Sequence, residues 1–454
     1  MMRYDSYKDS GVEWIGEIPS HWEKVSLGKI GILYGGLTGK SGDDFRSGDH
    51  PLNKSFIPFT NISNNTYISK THFQYVVIGD NENQNRVEKF DLFFLMSSED
   101  YGDLGKSSIL IEDVGELYLN SFCKGFRVKR DDVFPLFLNY QLLGDTHKKL
   151  ISIEGNGFTR INLRQDRLKE TPIFIPPLSE QNQIVSFLDT KTSLIDSLIE
   201  KTQRKIELLK EKRTSLINEV VTKGLNPNVE MKDSGVEWIG DIPRGWNRIS
   251  LGKLGVLYGG LTGKSGDDFR SEDQTSNKPF IPFTNIFNNT YISKEHFQYV
   301  VIGEDENQNK VEKYDLFFLM SSEDYEDLGK SSILIEDVGE VYLNSFCKGF
   351  RVNNNDVFTI FLNYQLSGYT HKKLISIEGN GFTRINLRQD RLRETPVILP
   401  PLSEQKQIVE YLDEQTSKID TSIKIEEKKI KLLKEYQQSL ISSVVTGKID
   451  VRTN

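Results

Sequence analysis

The octapeptide DSGVEWIG begins at Asp9 and again at Asp233, and the offset of 224 holds along most of the chain. Trp14 pairs with Trp238, Trp22 with Trp246, Cys123 with Cys347 and Pro177 with Pro401. Residues 9–178 and 233–402 align without a gap at about 80% identity. Solenoid repeats run to roughly 20–50 residues, so this one is too long to be a stacking unit. Two copies of one domain, each with its connector, fill nearly all of the 454 residues.

Each copy has two unlike parts. The first reads as mixed structure rich in short strands. FDLFFLM (90–96), SSILI (107–111), ELYLN (116–120) and GFRV (125–128) combine β-branched, aromatic and Leu residues, and Gly, Asp and Asn turn signals separate them. The second part, about 180–222 and 404–446, has no Gly or Pro and carries an apolar period of alternating three and four residues. That seam runs from Ile184 to Val220 and from Ile408 to Val444. A helix of about 40 residues is about 60 Å long and cannot bury such a stripe alone, so the two helices are expected to pair. The expected architecture is α+β: two β-rich domains joined by two long antiparallel coiled-coil helices in a pseudo-two-fold repeat. The boundaries follow as 1–178 for the first domain and 179–224 for its helix. A linker with the second domain takes 225–402, and the second helix with its tail takes 403–454.

The seam has polar interruptions at Thr202 and Arg213 in one helix, and at Glu426 and Gln437 in the other. Matching polar layers to polar layers sets Arg213 opposite Glu426 and Thr202 opposite Gln437. A buried charge against an aliphatic layer would cost several kcal/mol, about 3–5 if unpaired, which favours this register over its neighbours.

Several stretches carry residues suited to nucleic acid. GNGFTRINLRQDRL (155–168, again 379–392) brings together Arg160, Asn162 and Arg164, and their equivalents Arg384, Asn386 and Arg388. Arg, Asn and Gln are the side chains that meet guanine and adenine edges with two hydrogen bonds. The same residues also suit a loop and short helix whose arginines make internal ion pairs, and both readings stand. GGLTGKS (35–41, again 259–265) has three residues between its first glycine and Gly-Lys-Ser, where a nucleotide-binding loop needs four. It reads better as a polar loop offering Lys40 and Arg46, or Lys264 and Arg270, to phosphate or base. FTNISNN (59–65) supplies Asn61, with Asn285 in the second copy. MSSEDYGDLGKSS (96–108) supplies Lys106, with Lys330. Turns use these residue types for local hydrogen bonds as well.

The formal charge of −8 argues mildly against a nucleic-acid partner, although binding needs a basic surface only on the docking face. Two cysteines leave no room for a disulfide framework or a cysteine metal site, and no metal ligands are assigned. The six histidines are scattered. No adenine-methyltransferase motif, dinucleotide loop, nucleophile elbow or zinc-protease helix is present, so no catalytic residue is assigned. No apolar run approaches the roughly 18 residues of a membrane span, and no secretory leader opens the sequence; the cytoplasm is the expected compartment.

KDSGVEWIGEIPSHWE (8–23), GFTRINLRQDRL (157–168) and IPPLSEQNQIVSFLD (175–189) resemble the segments that open and close a target-recognition domain in type I restriction-modification specificity subunits. The second copy repeats all three, ending in LPPLSEQKQIVEYLD (399–413), so the resemblance spans essentially the whole chain. It implies two domains that each bind half of a double-stranded DNA site in the major groove, held on an antiparallel pair of spacer helices. It implies a non-catalytic chain that directs adenine methylation and restriction. The implied partners are two modification (methyltransferase) subunits bringing S-adenosylmethionine, and restriction subunits using ATP and Mg for translocation and cleavage. No cofactor is expected on the chain itself, and no membrane partner. Family half-sites usually differ because the two domains differ; here the domains are nearly the same, which points to an inverted-repeat target. A nuclease or methyltransferase with an unrecognised site, and a protein-binding scaffold without DNA specificity, are the other classes these residues leave open.

Overall fold

The computed structural model describes residues 3–46, 53–157, 159–270, 277–381 and 383–452, except for the side chains of Arg46 and Arg270. The chain forms two compact units, one of residues 1–203 with 428–454 and the other of residues 204–427. Each unit therefore holds one β-rich domain, the first half of the helix that follows it, and the final stretch of the other long helix. This division cuts through both helices, whereas the sequence suggests boundaries at their ends.

In the first unit the strands Ser107–Ile109, Leu92–Leu95, Cys123–Val128 and Gly31–Gly35 form an antiparallel sheet in that order. Its central LFFL strand is buried on both faces. Leu92 and Phe94 join a core with Leu138, Leu142 and Ile151, while Phe93 and Leu95 join another with Ile57, Leu117 and Leu119. Side chains alternate across a strand, so a strand covered on both sides must be apolar throughout. A second sheet orders Leu117–Leu119, Asn53–Ile57, Gln74–Val77 and Phe45–Arg46, with the first pair parallel. A small third sheet joins Gly155–Asn156, Ile161–Leu163 and Ser97–Ser98. The second unit repeats the two main sheets, with Leu316 and Phe318 facing one core and Phe317 and Leu319 the other.

The long helices run over Leu178–Lys223 and Leu402–Val445. Each domain is fixed to its own helix at the start. Glu180 accepts hydrogen bonds from the Trp22 indole at 2.9 Å, and Glu404 accepts from Trp246 at 3.0 Å. Asp189 accepts from Tyr67 and Tyr140, both at 2.6 Å. The domain also reaches the end of the other helix. Gln141 donates to the Val445 carbonyl in one unit, and Gln365 to the Val221 carbonyl in the other, both at 3.1 Å.

Inside each unit the helical stretches run antiparallel, but the register differs from the one the seam polarity suggests. Arg213 meets Asp420 at 2.9 Å, and Glu426 meets Lys205 at 2.5 Å. Gln437 donates to Asp196 at 2.9 Å, and Thr202 turns back to the Leu198 carbonyl at 2.7 Å. The partners lie about one heptad from the expected ones. Long polar side chains reach sideways to residues flanking the seam, so polarity within the seam underdetermines the pairing. The domain contacts to Val445 and Val221 supply a further constraint on register.

Candidate nucleic-acid interface

One end of the first sheet gathers three motifs that are far apart in sequence. Strand pairing sets Leu95 beside Cys123 and Lys124 beside Gly35. The chain leaving Leu95 enters Ser97–Ser98, which pairs with Asn162 and Ile161. The end of LYGG, the start of CKGF and the RIN segment therefore meet at a single edge.

Two turns shape it. Gly36 lies so close to the turn at Asn120 that a Cβ would stand 2.0 Å from the Asn120 carbonyl oxygen. The Asn120 carboxamide oxygen accepts from the Phe122 amide at 2.9 Å and holds that turn. Gly157 has φ of 143° and packs on the Arg160 carbonyl, where a Cβ would be 2.1 Å away, so only glycine closes this turn. The two turns present Phe122, 58% exposed, with the Arg160 guanidinium 5.3 Å from its ring centroid. In the second unit Arg384 lies 5.1 Å from the Phe346 ring and donates from Nε to the Ser321 hydroxyl at 3.2 Å.

The charges on this edge differ in how far they are committed. Arg160 makes no ion pair among the described residues, and neither does Lys124, whose ammonium lies over Gly35. Arg164 is tied to Asp166 through two hydrogen bonds of 3.0 and 2.6 Å, and Arg388 to Asp390 through 3.0 and 2.7 Å. The Arg388 guanidinium holds the Asp390 carboxyl below its usual range. Asn162 and Asn386 are exposed, each bonded to the carbonyl two residues before it.

The remaining sequence candidates lie elsewhere. Lys40 is only 4% exposed and paired with Glu82, and Lys264 is likewise paired with Glu306. Asn61 and Asn285 are buried and close their own loops by donating to the Ser69 and Ser293 carbonyls at 2.9 and 2.8 Å. Lys106 donates to the Ser63 carbonyl, while Lys330 lies 4.3 Å over the Phe287 ring. The side chains of Arg46 and Arg270 lie outside the described residues. Sequence reasoning missed Phe122 and Lys124, because FCKG reads as ordinary strand and nothing in it marks the first residue as exposed.

Burial pushes the Cys123 and Cys347 thiols up to about 12, which keeps them protonated and inert. Burial drives His147 and His371 down to about 4, and each bonds a backbone carbonyl, Pro172 or Pro396. Among the described residues no group of His, Cys, Asp and Glu could hold a metal ion, and no helix is long and apolar enough to cross a membrane.

The family model described as type I restriction modification DNA specificity domain matches residues 19–208 and again 243–435. The chain belongs to this family. Two proteins of Methanocaldococcus jannaschii are 26% and 23% identical to it. They cover 97% and 96% of this specificity chain, and 96% and 94% of their own length. The second is named as the specificity subunit of the type I restriction enzyme MjaVIII. A solved chain from a study of assembly and conformational transition of the type I R-M system matches with TM-score 0.70. It covers 95% of this chain and 99% of its own at 15% identity. The HsdS subunit of Thermoanaerobacter tengcongensis matches with TM-score 0.55 over 95% and 98%, at 16% identity. At such identities these two matches establish the fold: mixed helix and sheet with long spacer helices. As a member of a DNA-specificity family, the chain serves target recognition, and catalysis belongs to partner subunits.

Proposed function

We propose that this chain directs a type I restriction-modification complex to an interrupted double-stranded DNA site whose two halves are near-identical and inverted. One observation carries the reading: the edge built from Phe122, Lys124, Arg160 and Asn162 recurs as Phe346, Lys348, Arg384 and Asn386. One reading surface used twice asks for one base pattern twice, and DNA readers built on two-fold repetition have inverted-repeat targets. Arg160 and Asn162 take base edges, with Arg384 and Asn386 in the other half; Lys124 and Lys348 meet phosphate. Arg164 and Arg388 are second in line, because binding a base would first require giving up an aspartate. The partners of this reading are two modification subunits that methylate adenine with S-adenosylmethionine, and restriction subunits that use ATP and Mg.

The copies differ beside the edge, where Gly102 becomes Glu326 and Ser63 becomes Phe287, so an outer base pair could differ between the halves. Methylome sequencing of cells expressing the complex tests the reading. The expected motif has two inverted halves alike in all but a position or two, and two unrelated halves would overturn it.

A further inference from the structure

We infer that Phe122 and Phe346 are specificity-determining residues: each is a platform that aims its arginine at a guanine edge and lays its ring against the neighbouring base. This rests on the DNA-reading function proposed above and adds residues that no recognition motif marks. A phenylalanine left 58% or 56% exposed forgoes the burial that its type normally gains. It is not a frayed residue either. Its amide is fixed by the Asn120 or Asn344 side chain at 2.9 or 3.0 Å, in a turn that the adjoining glycine packs against.

A guanidinium lying over a ring keeps its N–H donors in its own plane, where they point edgewise. Contact through the ring face leaves the terminal N–H groups able to meet guanine O6 and N7, while limiting the directions in which the group can swing. The charge is uncommitted among the described residues, unlike that of Arg164 and Arg167, which hold Asp166 and Glu170. Apolar side chains beside such a fork contact the thymine methyl group, so the edge suits a guanine flanked by a thymine. Asn162 and Ser97, paired on the adjoining strands, border the same spot.

The test uses the complete complex with its modification subunits, a duplex carrying the motif found by methylome sequencing, and a scrambled duplex. Phe122→Ala with Phe346→Ala should weaken motif binding roughly 10–100-fold while leaving scrambled binding and its salt dependence nearly unchanged. Phe122→Tyr with Phe346→Tyr, which keeps the platform, should retain the motif. Co-elution with the modification subunits and the melting temperature should match wild type in both variants. Unchanged motif affinity in the alanine variant would overturn the inference while the general reading stands. Loss of co-elution would overturn it in favour of a protein-docking role. A wild-type complex that prefers neither duplex would instead remove the reading beneath it.

Discussion

The two recognition domains agree at the edge that carries Phe122 and Arg160, and they part company around Lys106 and on the long helices. Lys106 bonds the Ser63 backbone in the first domain, but Lys330 sits over Phe287 in the second. The helix position that is Gln437 beside Asp196 in one unit is Arg213 beside Asp420 in the other. The backbone arrangement is kept while the chemistry of the contact changes from a neutral donor to a cation. Supporting positions accept such exchange because many side chains satisfy a hydrogen bond to one carboxylate. A reading surface cannot, because each exchange changes the base pattern it fits.

The arginines of the proposed reading edge give the largest expected effect. Arg160→Ala and Arg384→Ala should each weaken motif binding by about 1–3 kcal/mol, and by similar amounts, because each removes one equivalent contact from one half-site. The double variant should approach the sum, since the two contacts share no partners. Arg164→Ala with Arg388→Ala should lose less, because those guanidinium groups are already held by aspartates. Competition binding with the motif duplex and with half-site-mutated duplexes measures all of these. If Arg160→Ala is harmless while Arg384→Ala is severe, the domains do not read alike.

An effect of comparable size per site, common to both copies, is expected on acidification. His147 and His371 are buried and neutral, with pKa values of about 4 against 6.5 for the free side chain. The unfolded chain takes up protons below pH 6.5 that the folded chain refuses until about pH 4. Stability from this source is therefore complete above pH 6.5 and is lost progressively as pH falls to 4, by about 2 kcal/mol per site at pH 5. Denaturant midpoints at pH 7 and pH 5 read the loss, and His147→Asn should flatten the first unit's share of it. A midpoint indifferent to pH across this window would show that the histidines are not held as the geometry indicates.

Much of the architecture was legible because long-range repetition and helical periodicity survive without knowledge of contacts. The duplication, the strand-rich domains and the helices beginning near 178 and 402 follow from spacing and from the absence of Gly and Pro. The site was only partly legible. Composition marked Arg160, Asn162 and Arg164 together, but it could not separate the first from the third. Asp166, which holds the third, sits two residues on, as turn and helix-start residues commonly do. Lys40 and Asn61 look available in sequence because their partners, Glu82 and the Ser69 backbone, are supplied by folding. Phe122 was invisible because exposure depends on what the rest of the chain covers. The helix register failed for a related reason, since Lys205, Asp420 and Asp196 lie outside the seam on which the pairing was judged.

The smallest effect is also the most direct check on that register. Arg213 and Asp420 are 29% and 44% exposed, so water screens their attraction, and a double-mutant cycle between them should give about 0.5–1 kcal/mol of coupling. The equivalent cycle for Gln437 and Asp196 lacks one charge and should give only a few tenths. Lys205 with Glu426 should couple measurably, because the carboxylate is 11% exposed and its loss of a cation is less well compensated by water. Arg213 with Glu426, the pair that seam polarity alone selects, should show essentially none. Thiol crosslinking gives the same answer without energetics. With both native cysteines buried, a short bis-maleimide should join cysteines placed at 213 and 420, or at 196 and 437, faster than cysteines at 213 and 426. Fast joining of 213 to 426 would move the register by a heptad, and with it the match between domain contacts and helix ends in both units.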